Sequence, residues 1–316
     1  MASEQPTAVG ERRCGAVING SGALNILLLG SHGQLGRCLQ DQLPTTEHRV
    51  TYAFRDQLDI ADWVTSRQKI VSIAPDLIVN AAAFTAVDRA EEEHAAATVI
   101  NHHAVANLAK YCTHTEATLI HVSTDYVFDG LASEPYREDD TTNPQSVYGA
   151  SKLAGERAIL ASECTHIILR TAGVYSEYGG NFLKTMLRLG ARGQPLNVVA
   201  DQIVAPTYGQ DIARAIVTCI QRLEQDPLPT GIYHYGGDRA CSWYEFASAI
   251  FIRAEAQGWA IPKQMVAIAT ADYPPAAPRP AYSVLNSDKF IQAAGILASD
   301  WRSGIDASLA ALKHKL

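Results

Sequence analysis

The chain has 316 residues, with 33 acidic against 26 basic side chains and a net charge of −7; the two signs are interspersed, which excludes nucleic acid and anionic membrane as main partners. Its 47% apolar content allows a sizeable core, and no apolar run approaches the ~20 residues that a membrane span needs. The six cysteines contain no Cys-x-x-Cys pair and the ten histidines no His-Glu-x-x-His spacing, a pattern expected of a metal-free protein in the reducing cytoplasm.

Residues 1–22 are Gly/Ser/Ala-rich and aperiodic, and read as a disordered leader. Arg12-Arg13 is reminiscent of an export signal, but the apolar run after it is short and broken by Gly20 and Gly22. Residues 25–29 are a continuous apolar run of strand length, as in a parallel strand buried on both faces. The turn Gly30-x-x-Gly33-x-x-Gly36 follows and opens a helix at Gln34 and Leu35, in which Leu35, Leu39 and Leu43 recur on one side. Glycines admit a pyrophosphate to the backbone, and the helix N-terminus offers free N–H groups to its charge. The motif alone is weak, and a plain tight turn is the alternative; the strand before it and the helix after it favour the phosphate. His32 is expected only to line the loop.

The next strand, Val50 to Phe54, ends at Arg55-Asp56, where an adenosine ribose is met in such folds. Arginine suits a 2′-phosphate and tilts the choice to NADPH, while Asp56 keeps NADH open. Asp59 is placed to cap a helix running through Trp63, Val64, Ile70 and Ile73. Leu77 to Asn80 is a short buried strand, and the small residues Ala81, Ala82 and Ala83 before Thr85 let a flat cofactor lie against the backbone. An Ala-rich helix containing Asn101 follows Val87–Glu91.

The strand 118–123 delivers Thr124 and Asp125. After a polar loop, Tyr148-Gly-Ala-Ser-Lys152 places a phenol and an ammonium one helical turn apart on one face. A free phenol titrates near ~10, and a cation beside it draws that value down towards the working range of a proton donor. Thr124 is placed to hold a substrate carbonyl against Tyr148. Further on, 196–199 reads as a strand, 209–224 as an amphipathic helix, and 232–235 as a strand ending at Gly236-Gly237. Ser242 and Glu245 form a capping box for a helix over 243–257, whose Trp243, Phe246 and Ile250 belong to a core. The Pro-rich segment 274–280 is irregular and presents Arg279.

The glycine-rich turn, Thr124 and the Tyr148/Lys152 pair resemble the short-chain dehydrogenase/reductase family of the extended type. The runs 123–130, 148–156, Arg170-Thr171, 181–189, Asp201-Gln202-x-x-Ala205-Pro206-Thr207 and Arg279-Pro280-x-x-Ser283-x-Leu285 are similar to the dTDP-4-dehydrorhamnose reductases, over residues 25 to about 312. The resemblance implies a Rossmann-like doubly wound parallel sheet, with α/β order, and a smaller C-terminal substrate-binding lobe. The nucleotide domain would take 23–170 plus about 208–237, and the lobe about 171–207 plus 238–316. It implies reduction of a nucleotide-sugar ketone by NADPH, with Tyr148 as proton donor, Lys152 tuning it and binding the nicotinamide ribose, and Thr124 orienting the ketone. It assigns Asp59 and Ile60 to the adenine and Asn101 to bracing the site. Thr85, Val87, Asp125, Asn181, Lys184 and Gln202 go to the substrate, and Arg279 to its phosphates.

Two departures bear on the sugar. Family members carry Ser-Trp-Val-Tyr where this chain has Ala172-Gly173-Val174-Tyr175, and Asp-Gln-x-Gly where it has Asp201-Gln202-Ile203-Val204. Some members bridge a dimer through Mg²⁺; Cys38 stands at one ligand position, so no such metal is expected, and a homodimer is left open. Three alternatives stay in play: a reductase of another keto-sugar nucleotide (the streptose type), an epimerase or dehydratase that retains NAD, and a non-catalytic regulatory subunit like the methionine adenosyltransferase β subunit.

Overall fold

Ile26 and Leu28 of the first strand enter one hydrophobic core, and Leu27 and Leu29 enter another, as a period-two strand buried on both faces must. The computed structural model describes residues 23–223, 226–273 and 275–313; the leader expected over 1–22, the last residue of the helix expected over 209–224, Pro274 and residues 314–316 lie outside them. In chain order, β1 (Asn25–Leu29) leads to α1 (Gln34–Gln42), β2 (Arg49–Ala53) to α2 (Trp63–Ile73), and β3 (Leu77–Asn80) to α3 (Val87–Ala90) and α4 (His94–Thr98). A π-helical turn (Val99–His103) joins α4 to α5 (Ala104–Thr115), followed by β4 (Thr118–Thr124), α6 (Val147–Ser162) and β5 (His166–Thr171). Then come β6 (Val174–Tyr175), α7 (Phe182–Gly190), β7 (Leu196–Val199), β8 (Ile203–Val204), β9 (Thr207–Tyr208), α8 (Gly209–Arg222) and β10 (Gly231–His234). The chain finishes with β11 (Cys241–Ser242), α9 (Trp243–Ala256), β12 (Met265–Ile268), α10 (Asp288–Ala294) and α11 (Trp301–Lys313).

Six strands form one parallel sheet in the order β10-β5-β4-β3-β1-β2. The winding reverses between β1 and β3, and at such a switch point a crevice opens beyond the carboxyl ends of the strands. Leu39 of α1 with Ile212, Ile216 and Ile220 of α8 covers one face of the sheet. Ile70 of α2, Leu108 of α5 and Ile159 of α6 cover the other. A third core joins Tyr175, Leu183 and Met186 to Phe246, Ile250, Trp301 and Ile305, all from beyond β5. Among the described residues no helix is long and apolar enough to cross a membrane.

The helix starts follow from their caps. Ser242 and Glu245 make the expected reciprocal box at α9. Ser146 Oγ accepts from Gly149 N at 3.1 Å to start α6. At α2 the expectation is corrected: Asp62, not Asp59, caps the helix by accepting from Thr65 N. Asp59 instead accepts from Ala61 N at 3.0 Å inside the preceding turn. Phe54 lies just past β2, with its ring stacked on His32 at 3.7 Å.

Helix α6 is tied down at two levels. A Cβ on Gly149 would stand 2.2 Å from Tyr126 O, and one on Gly155 2.2 Å from Asn101 O, so glycine at both places lets the helix lie directly on its neighbours' backbones. Next to Gly155, Glu156 forms a buried ion pair with Arg170 of β5 at 2.7 Å. The guanidinium also lies over the Phe128 ring, 5.1 Å from its centroid.

Candidate active site

The glycine-rich turn sits at the switch point, and steric space explains its composition. Gly30 has φ +74, and a Cβ on it would lie 2.6 Å from Ala82 N; the end of β3 leaves room for nothing larger. A Cβ on Gly36 would lie 2.2 Å from Gly30 O. Gly33 starts α1 without any side chain bonding the first-turn amides, so those N–H groups are left for an outside acceptor. A bare backbone cradle at a helix N-terminus fits a pyrophosphate. Around it, Ile60 is buried, Ala81, Ala82 and Ala83 are half-buried and Thr85 is exposed. Arg55 is exposed and pairs with Asp59 at 3.4 Å.

The three residues expected to react come from two adjoining elements. Thr124 ends β4, and Tyr148 and Lys152 lie one turn apart on α6, all three buried. The Thr124 hydroxyl bonds Tyr148 and donates to Asp125 Oδ1 at 2.9 Å. Tyr126 packs edge-on against Tyr148 at 5.4 Å, and Val87 joins the same apolar cluster. Asn101, in the π-helical turn, bonds Phe84 N at 2.8 Å and Ser151 Oγ at 3.0 Å, bracing α6 as expected.

One electrostatic expectation is corrected. Burial pushes the Tyr148 phenol up to about 12, with Thr124 opposing and Asp125 adding to the rise; Lys152 is not among the groups acting on it. The lysine head is turned the other way. Its Nζ donates to Val122 O at 2.7 Å and lies 3.2 Å from His121 Nε2. Burial lowers the ammonium to about 8 against the pull of Glu156. Asp125 is raised to about 6 by burial.

A cleft of about 810 Å³ adjoins this centre. Of the residues expected at a substrate, Asp125, Gln202 and Arg279 line it. Arg279 Nη2 pairs with Asp88 Oδ2 at 2.7 Å, and Gln202 Nε2 donates to Thr270 Oγ1 at 3.0 Å. Asn181 and Lys184 are placed elsewhere. Asn181 caps α7 and donates from Nδ2 to Gln34 Oε1 of the glycine-rich turn at 3.1 Å, while Lys184 Nζ reaches Glu177 O at 3.5 Å.

The cleft also holds residues that sequence reasoning passed over: Tyr126, Phe182, Met186, Asn197, Trp243 and Tyr273. Trp243, read as core, has one face in the third core and another in the cleft. The only local signal for Tyr126 was its place two residues past Thr124.

A backbone phosphate cradle at the sheet's switch point, with a threonine–tyrosine hydroxyl pair and a lysine beside it, defines an oxidoreductase of the extended short-chain dehydrogenase/reductase class. Residues 24–314 match the family described as the RmlD substrate binding domain. A dTDP-4-dehydrorhamnose reductase from Aggregatibacter actinomycetemcomitans is 44% identical over 283 residues, which are 89% of this chain and 96% of that one. The structure of the Clostridium acetobutylicum dTDP-4-dehydrorhamnose reductase gives a TM-score of 0.85 at 36% identity, over 91% of this chain and 99% of that one. The Bacillus anthracis enzyme, in complex with NADP, gives 0.84 at 34%, over 92% and 100%. The chain belongs to the dTDP-4-dehydrorhamnose reductase family.

Proposed function

We propose that this chain reduces the C4 ketone of dTDP-4-dehydro-6-deoxy-L-mannose, giving dTDP-L-rhamnose, with NADPH as reductant. The observation that carries the reading is the buried Thr124–Tyr148 hydroxyl pair beside the Asp125–Tyr126 wall of the cleft. NADPH, when bound, supplies a hydride to the carbonyl carbon. Thr124 turns its hydroxyl from Asp125 to the carbonyl oxygen and holds it. Tyr148 gives its proton to that oxygen as charge develops there. With a pKa near 12 the phenol is fully protonated at neutral pH. It remains a far stronger acid than an alcohol, whose alkoxide is about as basic as hydroxide at ~15.7, so the transfer runs downhill.

On the nucleotide side, the α1 N-terminus and Gly30 receive the pyrophosphate, Asp59 and Ile60 the adenine, and Lys152 the nicotinamide ribose. Arg55, exposed and paired with Asp59 at 3.4 Å, is placed to meet a 2′-phosphate, which supports NADPH over NADH. On the sugar side, Arg279 takes the diphosphate as a forked cation. In this reading 23–170 with about 208–237 is the nucleotide domain and about 171–207 with 238–316 the sugar lobe; the third core, drawn from beyond β5, supports that division, except that α10 packs Phe290 and Ala294 into the first core against the sheet and belongs with the nucleotide domain. The reading puts the enzyme in the cytoplasm with its nucleotide substrates, and a homodimer is compatible with it.

The test is loss of absorbance at the reduced-nicotinamide band, with the ketone generated in situ from dTDP-glucose by a dehydratase and an epimerase. Rapid oxidation yielding dTDP-L-rhamnose supports the reading. A folded, NADPH-binding protein that oxidises nothing would overturn the sugar and point to another keto-sugar nucleotide, with Gly173 and Val204 the first suspects. NAD retained through purification would point to an epimerase or dehydratase, and no nucleotide binding to a regulatory subunit.

A further inference from the structure

Asn80, His121 and Lys152 form a file of hydrogen bonds closed at both ends by backbone. At one end Ala82 N–H donates to Asn80 Oδ1 at 3.1 Å. At the other, Lys152 Nζ donates to the Val122 carbonyl at 2.7 Å. Between them, Asn80 Nδ2 lies 3.0 Å from His121 Nδ1, and His121 Nε2 lies 3.2 Å from Lys152 Nζ. Asn80 and His121 are fully buried, and Lys152 is 2% exposed.

The fixed ends set the direction of each bond. With its oxygen taken by Ala82, Asn80 can only donate to His121, so Nδ1 accepts. Burial and the neighbouring lysine hold the imidazole neutral, its pKa well below the ordinary value. Its single proton is then on Nε2 and points at Lys152. An ammonium has no lone pair to receive it; an amine has one.

We propose that Lys152 stands in this file as a neutral amine, held there by Asn80 and His121 as positioning residues, and takes up one proton from solvent when a nicotinamide nucleotide binds. This rests on the reading of Lys152 as the group that meets the nucleotide. The surrounding charges agree with it. Glu156, one turn along α6, favours the ammonium but is engaged by Arg170 of β5 at 2.7 Å and by Ser123 of β4. His234 of β10 is neutral, depressed to about 3 by burial and Arg170. Tyr148 is neutral, and Asp125 is bonded by Thr124. Burial prevails over Glu156, and the amine is favoured above about pH 8. Ribose hydroxyl oxygens offer acceptors in place of an Nε2–H donor, which reverses the preference.

The experiment titrates NADPH into the full chain in weak buffer with a pH indicator, scoring binding by nicotinamide fluorescence in the same cell. Uptake should be about three-quarters of a proton per nucleotide near pH 8.5 and fall more than tenfold near pH 6.5, where free Lys152 is already charged. Asn80→Asp turns the file round: a carboxylate accepts from both Ala82 and His121 Nδ1–H, Nε2 becomes an acceptor, and Lys152 stays charged. That variant should bind NADPH with uptake reduced several-fold near pH 8.5, and Lys152→Met should abolish the uptake. Wild-type protein that binds NADPH near pH 8.5 without taking up protons overturns the inference while leaving the functional reading intact. Uptake unchanged in either variant also overturns it. Failure to bind NADPH at all overturns both.

Discussion

Gly173 and Val204 share one space in the cleft wall: Gly173 has φ +55, and a Cβ on it would lie 2.9 Å from Val204 Cγ2. Two costs therefore meet at this position, a left-handed backbone and an occupied volume. Gly173→Ala should destabilise the fold by about 2–4 kcal/mol, the sum of the left-handed penalty and overpacking. Val204→Ala relieves only the second, so the two substitutions should couple by about 1 kcal/mol in a double-mutant cycle followed by chemical denaturation. Strict additivity would show that the two side chains do not compete.

Tyr148→Phe removes the proposed proton donor and almost no volume. We expect kcat to fall by about 10²–10⁴-fold, with NADPH affinity, measured by fluorescence, changed little. Because the phenol bonds Thr124, a modest loss of stability will accompany it. Near-wild-type turnover would remove Tyr148 from the chemistry.

The Glu156–Arg170 pair is buried on both sides, at 1% and 2% side-chain exposure. Glu156→Gln leaves a guanidinium without its countercharge and should cost about 3–5 kcal/mol, read as a lowered midpoint in urea. Replacing both residues by well-fitting apolar ones should restore much of that loss, since the pair's gain is set against the desolvation of two ions.

Arg279 reaches the cleft while paired with Asp88 at 2.7 Å. If it grips the diphosphate, Arg279→Gln should raise KM for the nucleotide sugar by about 10-fold or more while kcat stays close to wild type. Arg279→Lys should recover only part, because a point charge lacks the fork. A fall in kcat with KM unchanged would place Arg279 with the reacting atoms instead.

Asp125 is raised from 3.8 to about 6 by burial. Its folded value exceeds its unfolded one, so the fold prefers the neutral carboxyl. Stability from this group is present below about pH 4 and lost as pH rises through 6. The loss is about 3 kcal/mol at 1.36 kcal/mol per pKa unit. Asp125→Asn should therefore gain on wild type in thermal midpoint between pH 4 and 7, and the gap should be flat above that. A gap independent of pH would show that the carboxyl does not titrate in this window.

What the sequence disclosed was whatever local spacing determines. The strand–turn–helix context of Gly30–Gly36 and the shared face of Tyr148 and Lys152 both follow from backbone geometry a few residues long, and both appear in the fold. Spacing says which side of a helix a lysine leaves from; it does not say where a four-carbon stem ends. That is why Lys152 was expected at the phenol and is found at Val122 and His121, groups set by strand β4. Asp59 and Asp62 are equally good caps by composition, and only the turn at Ala61 separates them. The cleft wall of Phe182, Asn197, Trp243 and Tyr273 is assembled from four segments that meet only through tertiary packing, so no window of sequence contains it.

Thr124, Tyr148 and Lys152 all lie before residue 153, whereas nearly every cleft-lining residue lies beyond residue 172. On the proposed reading, chemistry and choice of sugar are thus written in two different stretches of the chain. A breeder of new activities can recombine the stretch after Thr171 with that of a relative and leave the proton-transfer machinery untouched. Drift in the preferred sugar needs no change to the helix that carries Tyr148, and a lineage of such enzymes can diversify its substrates while its catalytic half stands still.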